Sequence, residues 1–573
     1  MTSMTIKHTN LGSLNCLHDN SFLTRILGLP YATIPHRFAR SKLCLHPKDH
    51  PSSSTRFKDS VFDATSPGPA SIQPFGSIKS DASNIPLPTK TLPEDDPQSE
   101  DCLTLSIHLP PSAFHSNSHT LNENAKLPVL VFIHGGAFFL GSGNRPYYDP
   151  VSFLSYAIAR QKEIIYISIN YRLGCLGFLR AETSDASMPP NNGLYDQIRA
   201  LEWIKANISA FGGDVNNITA LGQSAGGESI SLLTHCEEVI ENDLFQRAVM
   251  FSGTPVTMPA LTPDEHTDNF LAQAFKAGIS TKNPDGSDRT IEDIVKEMQV
   301  LPVEKIRDLA WVGLPYTSTP LLPFQQPTMG MLRDGGPDAW NDTAKKRKEG
   351  KGVQSQLVST TTYDGGISFN MMSRDSSRSA HGQAFINIAH DVLGHEHASI
   401  LCGIYGVDKD TPDAEALQRI CLFESDIGFF FAALAVASSR LIKDTYFHIF
   451  DLPDPFEGPL KSMGEFATHT FDILTLLGGY DQTLLPAGYT DVIAKWRDVV
   501  LDFVREGKAP CERFGTKEGG MVVDARGVRR VERGEYMHGR RESLMQLAEK
   551  VDAKEGRDVL WVDVCRRFLM KGK

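Results

Sequence analysis

No uninterrupted apolar run in this chain is long enough to cross a bilayer. The longest, Phe429 to Ala437, falls well short of the ~20 residues a spanning helix needs. The opening residues, MTSMTIKHTNLGSLN, lack the apolar core of a secretory signal. Positive charge is also in short supply. A formal net charge of -12 disfavours nucleic acid as a partner and offers a membrane no basic face. The 9 cysteines are scattered without a metal-type CxxC pair, and an odd count suits reduced thiols better than a disulfide framework. Together these absences describe a cytoplasmic protein, in which sites such as Asn217-Ile218-Thr219 would carry no glycan. There is no internal repeat. His395-Glu396-His397 offers metal-ligating side chains, but no further ligands cluster near it, and a surface loop is the simpler reading. Gly141-Ser142-Gly143 lacks the strand-turn-helix spacing of a phosphate loop.

What is present is ordinary globular material: 573 residues, 41% hydrophobic and 22% charged. The first forty residues suggest short strands, with turns at Asn10-Leu11-Gly12 and His18-Asp19-Asn20. Residues 47 to 100 are rich in Ser, Pro and Asp without a period and read as irregular coil. Leu103 to Leu109 alternates like a strand. Val129 to Ile133 and Glu163 to Asn170 are apolar enough to be strands buried on both faces. Leu194, Ile198, Leu201, Ile204 and Ile208 recur at helical spacing. Strands are also expected at RAVMFSG, QLVSTTT and TYFHIFDL. Residues 256 to 350 read as mainly helical, closing on the charged loop KKRKEGKG. Residues 490 to 573 read as helical around one short strand, MVVD. Strands alternating with helices predict an α/β fold, a mostly parallel sheet covered on both sides.

The stretch ITALGQSAGGESI, Ile218 to Ile230, organises the rest. A strand-like run enters Gly222-Gln223-Ser224-Ala225-Gly226, and Glu228 to Leu233 can continue as a helix. Glycines on both sides of the serine permit a turn sharp enough to lift its hydroxyl off the strand end. Alone the pattern is common; its strand, helix and partners give it weight. A serine nucleophile needs an imidazole to take its proton and a carboxylate to orient that imidazole. His469, in the polar stretch FATHTFDI, is the candidate base. Asp364, after QLVSTTT, is the favoured acid, with Glu465 and Asp472 as competitors beside the histidine. HGGAFFLGSG follows a strand, and the amides of Gly136, Ala137 and Ala225 are candidate donors to an oxyanion. Phe429 to Ala437 is most simply core, and it is also placed to line an acyl pocket.

These residues resemble the type-B carboxylesterases, the group that includes cholinesterases and fungal lipases. FGGDVNNITALGQSAGG (Phe211 to Gly227) and SEDCLTLSIHLP (Ser99 to Pro110) are similar to that family's two signatures, and the likeness spans about residues 24 to 510. It implies an α/β-hydrolase fold with helical lid insertions and ester hydrolysis on a small-molecule ester through Ser224, Asp364 and His469. It also implies no cofactor and no metal. We expect one domain over residues 1–573, with 511–573 as a mainly helical extension. An acyltransferase or lactone-forming enzyme using the same acyl-enzyme is the alternative, and a non-catalytic binding module the more distant one. Four departures from the family pattern stand out. Asp364 falls where glutamate is usual. Gln223 replaces the usual glutamate before the nucleophile; with no tryptophan before Trp203, that argues against a choline-type cation. Ser71 stands where secreted members carry the partner of the cysteine matching Cys102, so that disulfide should be absent. Glu228 replaces a residue that is usually small. The pocket walls should come from residues 256–350 and 415–440, with a biosynthetic ester as the favoured substrate.

Overall fold

The computed structural model describes residues 1–19, 23–84, 87, 92–116, 118–185, 187–258, 260–310, 350–439, 441–480, 482–515, 519–551 and 558–570. The strands that build the sheet around the site are β1 (Thr2–His8), β2 (Gly12–His18), β3 (Thr24–Pro30), β4 (Thr104–Leu109), β5 (Leu127–Ile133), β6 (Ile165–Ile169), β7 (Gly213–Gln223), β8 (Arg247–Phe251), β9 (Ser355–Thr361), β10 (Asp444–Phe450), β11 (Gly520–Asp524) and β12 (Gly527–Val531). They lie side by side in the order β12-β11-β10-β9-β8-β7-β5-β6-β4-β3-β2, and β1 pairs with β2. The pairings from β6 through β11 are all parallel. Those at the two flanks, β12 on β11 and β6 on β4 on β3 on β2, are antiparallel.

The continuous apolar runs explain why the parallel strands sit in the middle. Val129, Val131 and Ile133 of β5 enter one core, while Leu130 and Phe132 enter the other. Successive side chains point to opposite faces, so only a sheet covered on both sides accommodates such a run. Helix α1 (Asn192–Asn207) covers one face; four of the five apolar positions predicted by spacing lie on it and the fifth, Ile208, opens the 3-10 turn that follows, and all five are fully buried. Helix α2 (Ala225–Leu233) follows β7 directly, with every residue buried.

Several expectations need correction. Residues 47 to 100 are not coil throughout. They hold 3-10 turns at Pro47–Asp49 and Pro51–Arg56, short strands at Phe57–Lys58 and Val61–Asp63, and a helix at Ser77–Asn84. Each is too short for periodicity to register, and that helix starts because Asp95 Oδ2 and Oδ1 accept the Gly76 and Ser77 amides at 2.8 and 3.1 Å. His395-Glu396-His397 lies not in a loop but on helix α3 (His381–Tyr405), just after a break at Gly394, with His395 and Glu396 exposed and His397 half-buried. The C-terminal extension contributes a two-stranded hairpin, not one strand. β12 was hidden by Arg529 and Arg530, charges that an edge strand tolerates. Of the expected helical region 256–350, helices are seen at Pro263–Lys276, Ile291–Gln299 and Val303–Ala310. Residues 311–349, including most of KKRKEGKG, and Asn20 of the second N-terminal turn lie outside the described residues. Asp413–Ser438 forms a helical stretch apolar enough to span a bilayer by length and composition, though no single run within it is; its apolar part is almost wholly buried inside the fold.

One buried ion pair ties the loop after β6 to α1. Arg172 Nε and Nη2 each lie 2.8 Å from the two oxygens of Asp196, and Arg172 Nη1 donates to Ala39 O at 2.7 Å. Both side chains are almost fully excluded from water. Removing one partner strands the other charge, so Arg172→Met is expected to destabilise the fold by about 3–5 kcal/mol, read as a lower urea midpoint.

Candidate active site

Ser224 stands at the bend between β7 and α2. Ser224 has φ 56° and ψ -126°, a conformation L-residues rarely adopt. The glycines two residues away on each side make room for the bend. A Cβ on Gly226 would stand 2.0 Å from Ile133 O, and one on Gly222 would stand 2.3 Å from the Gly226 carbonyl. The Ser224 amide donates to Phe251 O at 2.8 Å, and its carbonyl accepts from Glu228 N at 2.9 Å. The backbone is therefore anchored on both sides of the bend. The hydroxyl stays partly exposed and makes no hydrogen bond to another described residue.

Asp364 and His469 meet although 105 residues separate them. Tyr363 and Thr468 form an isolated parallel bridge, and Tyr363 N donates to Ala467 O at 3.1 Å. That pairing sets the next residue of each segment side by side. His469 Nδ1 lies 2.7 Å from Asp364 Oδ1. The other carboxylate oxygen, Oδ2, accepts from Thr360 Oγ1 at 2.7 Å and from Thr361 N at 3.0 Å. Both side chains are buried. The bridge is how a carboxylate one methylene shorter than glutamate still reaches the imidazole.

The two competing acids are placed elsewhere. Glu465 is exposed. Asp472 is fully buried, but its Oδ1 accepts from Ile473 N at 2.8 Å and its Oδ2 has no hydrogen-bond partner among the described residues. Burial, and then the nearby charge of Asp364, push the Asp472 carboxyl up to about 7.

The second imidazole nitrogen meets a group that sequence reading did not anticipate. Gln223 Nε2 lies 3.0 Å from His469 Nε2 and 3.1 Å from Thr470 Oγ1. With the Nδ1 proton given to Asp364, Nε2 is the acceptor, and the carboxamide donates to it. The imidazole thus touches the residue adjoining Ser224. Phe429 packs edge-on against the same ring, with centroids 5.3 Å apart. Placing a carboxylate at this position would favour the imidazolium.

Gly136 and Ala137 have positive φ, 106° and 53°, in the loop after β5. Their amides are not spent on hydrogen bonds to other described residues. Ala225 is the first residue of α2, where amides lack intrahelical acceptors. His134, just before, is structural: its Nδ1 lies 2.8 Å from Gly135 O, its ring stacks on Tyr171, and burial holds it down at about 4. Ser71 Oγ accepts from Leu173 N at 3.1 Å, and burial pushes the Cys102 thiol up to about 12. No group of three or more His, Cys, Asp or Glu side chains placed to hold a metal occurs among the described residues.

Strand order and the helices on both faces define an α/β hydrolase, with Ser224 at the bend between β7 and α2. The chain belongs to the carboxylesterase family, whose model matches residues 12–508. It is 38% identical over 231 residues to the para-nitrobenzyl esterase of Bacillus subtilis (strain 168), covering 40% of each chain. It is 37% identical over 279 residues to the phenmedipham hydrolase of Pseudarthrobacter oxydans, covering 48% of each. The matched stretches thus span less than half the length of these two relatives. Among solved structures, a thermophilic PNB esterase superposes with TM-score 0.66 at 21% identity, covering 95% of this chain and 100% of that one. A carboxylesterase of Geobacillus stearothermophilus does so with TM-score 0.66 at 22% identity, over 94% and 99%.

Proposed function

We propose that the chain is a serine carboxylic-ester hydrolase acting on a neutral small-molecule ester through an acyl-enzyme on Ser224. The observation that carries this reading is the 2.7 Å contact between Asp364 and His469, on an imidazole whose other nitrogen reaches the residue next to Ser224. Asp364 keeps the proton on Nδ1, which leaves Nε2 basic toward the hydroxyl. For Ser224 to deliver its proton, the Gln223 amide must share or yield that nitrogen. Ser224 Oγ then attacks the ester carbonyl, and the amides of Gly136, Ala137 and Ala225 receive the developing negative charge. Each such donor is worth roughly 2.7–4 kcal/mol in the transition state. The imidazolium returns its proton to the departing alcohol. Water, deprotonated by the same nitrogen, then releases the acid.

The uncharged carboxamide of Gln223 beside the base supports a neutral substrate over a cationic one. The relatives' names, para-nitrobenzyl esterase and phenmedipham hydrolase, support hydrolytic chemistry. Incubation with a fluorophosphonate should leave one phosphonyl adduct, located by peptide mass spectrometry on Ser224. An adduct on another residue, or none, would sink the proposal. Product analysis with added alcohol separates hydrolysis from transfer: free acid should predominate.

A further inference from the structure

Behind the base stands a residue from the far end of the chain. Trp561 lies in the helical turn Val559–Arg566, beyond the last residue matched by the family model. Its ring is 4% exposed. The indole Nε1 donates to Val256 O at 2.7 Å. The ring is laid flat enough on Gly428 that a Cβ there would stand 2.4 Å from Cζ3 and 2.5 Å from Cη2. Gly428 precedes Phe429, the ring that packs on His469. Val256 belongs to the loop after β8, which passes so close beneath the nucleophile that a Cβ on Gly253 would stand 1.9 Å from Ser224 O. Thr257 Oγ1 closes the frame by donating to Gly428 O at 3.3 Å. One indole therefore braces both segments that flank Ser224 and His469.

A second buried group lies near the same place. Glu228, on the first turn of α2, is fully buried, and that burial pushes its carboxyl well above the usual carboxylate range, against a hydrogen bond to the Met258 backbone and the more distant Arg566. Its Oε2 has no hydrogen-bond partner among the described residues. Glu228, four residues after Ser224, and Arg566 of the C-terminal extension thus lie near one another, beside the loop that holds Val256.

We propose that Trp561 is a specificity-determining residue, fixing the depth of the acyl site by holding Val256 and Gly428-Phe429 in place. This rests on the reading of Ser224 as nucleophile. In that reading the oxyanion faces Gly136, Ala137 and Ala225, and the departing alcohol faces His469. The acyl chain is left to run toward the loop Gly253–Met258 and the Phe429 wall. Trp561 does not touch the reacting atoms; it sets the space available to the chain.

The test compares kcat/KM on p-nitrophenyl acetate, butyrate and octanoate, and on acetate esters of alcohols of graded size. Trp561→Ala should raise the octanoate-to-acetate ratio on the order of tenfold, the scale of a changed hydrophobic pocket, and leave the alcohol series in order. Trp561→Phe keeps most of the ring and should keep the wild-type ratio. Gly428→Ala drives a methyl into the indole and should lower the ratio by pressing Phe429 inward. A purely structural role would reduce all esters alike. An unchanged ratio in Trp561→Ala, or in Gly428→Ala if the first variant does not fold, overturns the proposal. So does a Phe variant shifted as far as the Ala variant, or an equal shift in the alcohol series. Fluorophosphonate labelling of the unsubstituted enzyme keeps the two readings apart. If Ser224 is labelled and the ratio is fixed, Trp561 loses its role alone. If Ser224 is never labelled, both readings go.

Discussion

Ser224→Ala is expected to reduce kcat by about 10^6-fold, the scale on which a serine hydrolase loses turnover with its nucleophile. It should also abolish fluorophosphonate labelling. The structure makes this substitution a clean test. Alanine retains the Cβ, so the backbone at φ 56° is as strained as before. The missing hydroxyl leaves no buried group unpaired, because it makes no hydrogen bond to a described residue. The melting temperature should accordingly stay within about 1 °C of the wild type, a surface-like change in stability. Ser224→Gly would differ in one respect. Glycine takes a positive φ without the cost of Cβ crowding, and strain of this kind amounts to about 1–3 kcal/mol. The glycine variant should be equally inactive and more stable. If the alanine variant keeps more than about a thousandth of the wild-type kcat, beyond what binding and oxyanion donors alone supply, Ser224 is not the nucleophile.

The local parts of this site were readable from sequence because local forces make them. The bend at Ser224 needs glycine at 222 and 226, and those letters are visible. The alternation of cores along β5 follows from an apolar run and a period of two. Non-local parts were readable only as a choice among candidates. Asp364, Glu465 and Asp472 are equivalent as letters, and what separates them is the bridge between Tyr363 and Thr468, a pairing of two segments that no periodicity announces. The contact of Gln223 with His469 was missed for the same reason. Its chemical type was noted, but its reach across the cleft depends on where the loop after β10 comes to rest. The hairpin of β11 and β12 failed differently. Asp524 accepts from Arg526 and Arg529 across its own turn, so residues that look like a solvated charge run are paired with each other. Trp561 lay beyond the family likeness altogether, and only packing reveals that it lies on Gly428, next to the Phe429 ring that meets His469.

Asp364→Asn is expected to lower kcat by about 10^4-fold, the cost of leaving the imidazole in the wrong tautomer. The two donors on Oδ2 make the outcome specific. Thr360 Oγ1 and Thr361 N donate to that position at 2.7 and 3.0 Å, shorter than their second contacts to Thr361 O and Ser252 Oγ at 3.1 and 3.3 Å. An asparagine keeps the shorter pair by turning its oxygen toward them and its amide toward His469 Nδ1. Nδ1 then becomes an acceptor, the ring proton moves to Nε2, and the nitrogen that reaches the residue next to Ser224 can no longer take a proton. Asp472→Asn is the control that separates the two acids. Asp472 makes no hydrogen bond to the imidazole, so kcat near pH 6 should change no more than about threefold, well under the 10^2–10^4 of a working acid or base. Its effect belongs to stability. The folded pKa of Asp472, about 7, lies above its ordinary 3.8. The folded state therefore holds the proton more tightly than the unfolded chain, and stability falls as pH rises from about 3.8 to about 7. Asparagine removes that penalty, so the variant should gain more stability over wild type at pH 8 than at pH 5, measured by urea unfolding at both. Should Asp472→Asn instead abolish turnover while Asp364→Asn leaves it nearly intact, the carboxylate that orients His469 has been assigned to the wrong residue.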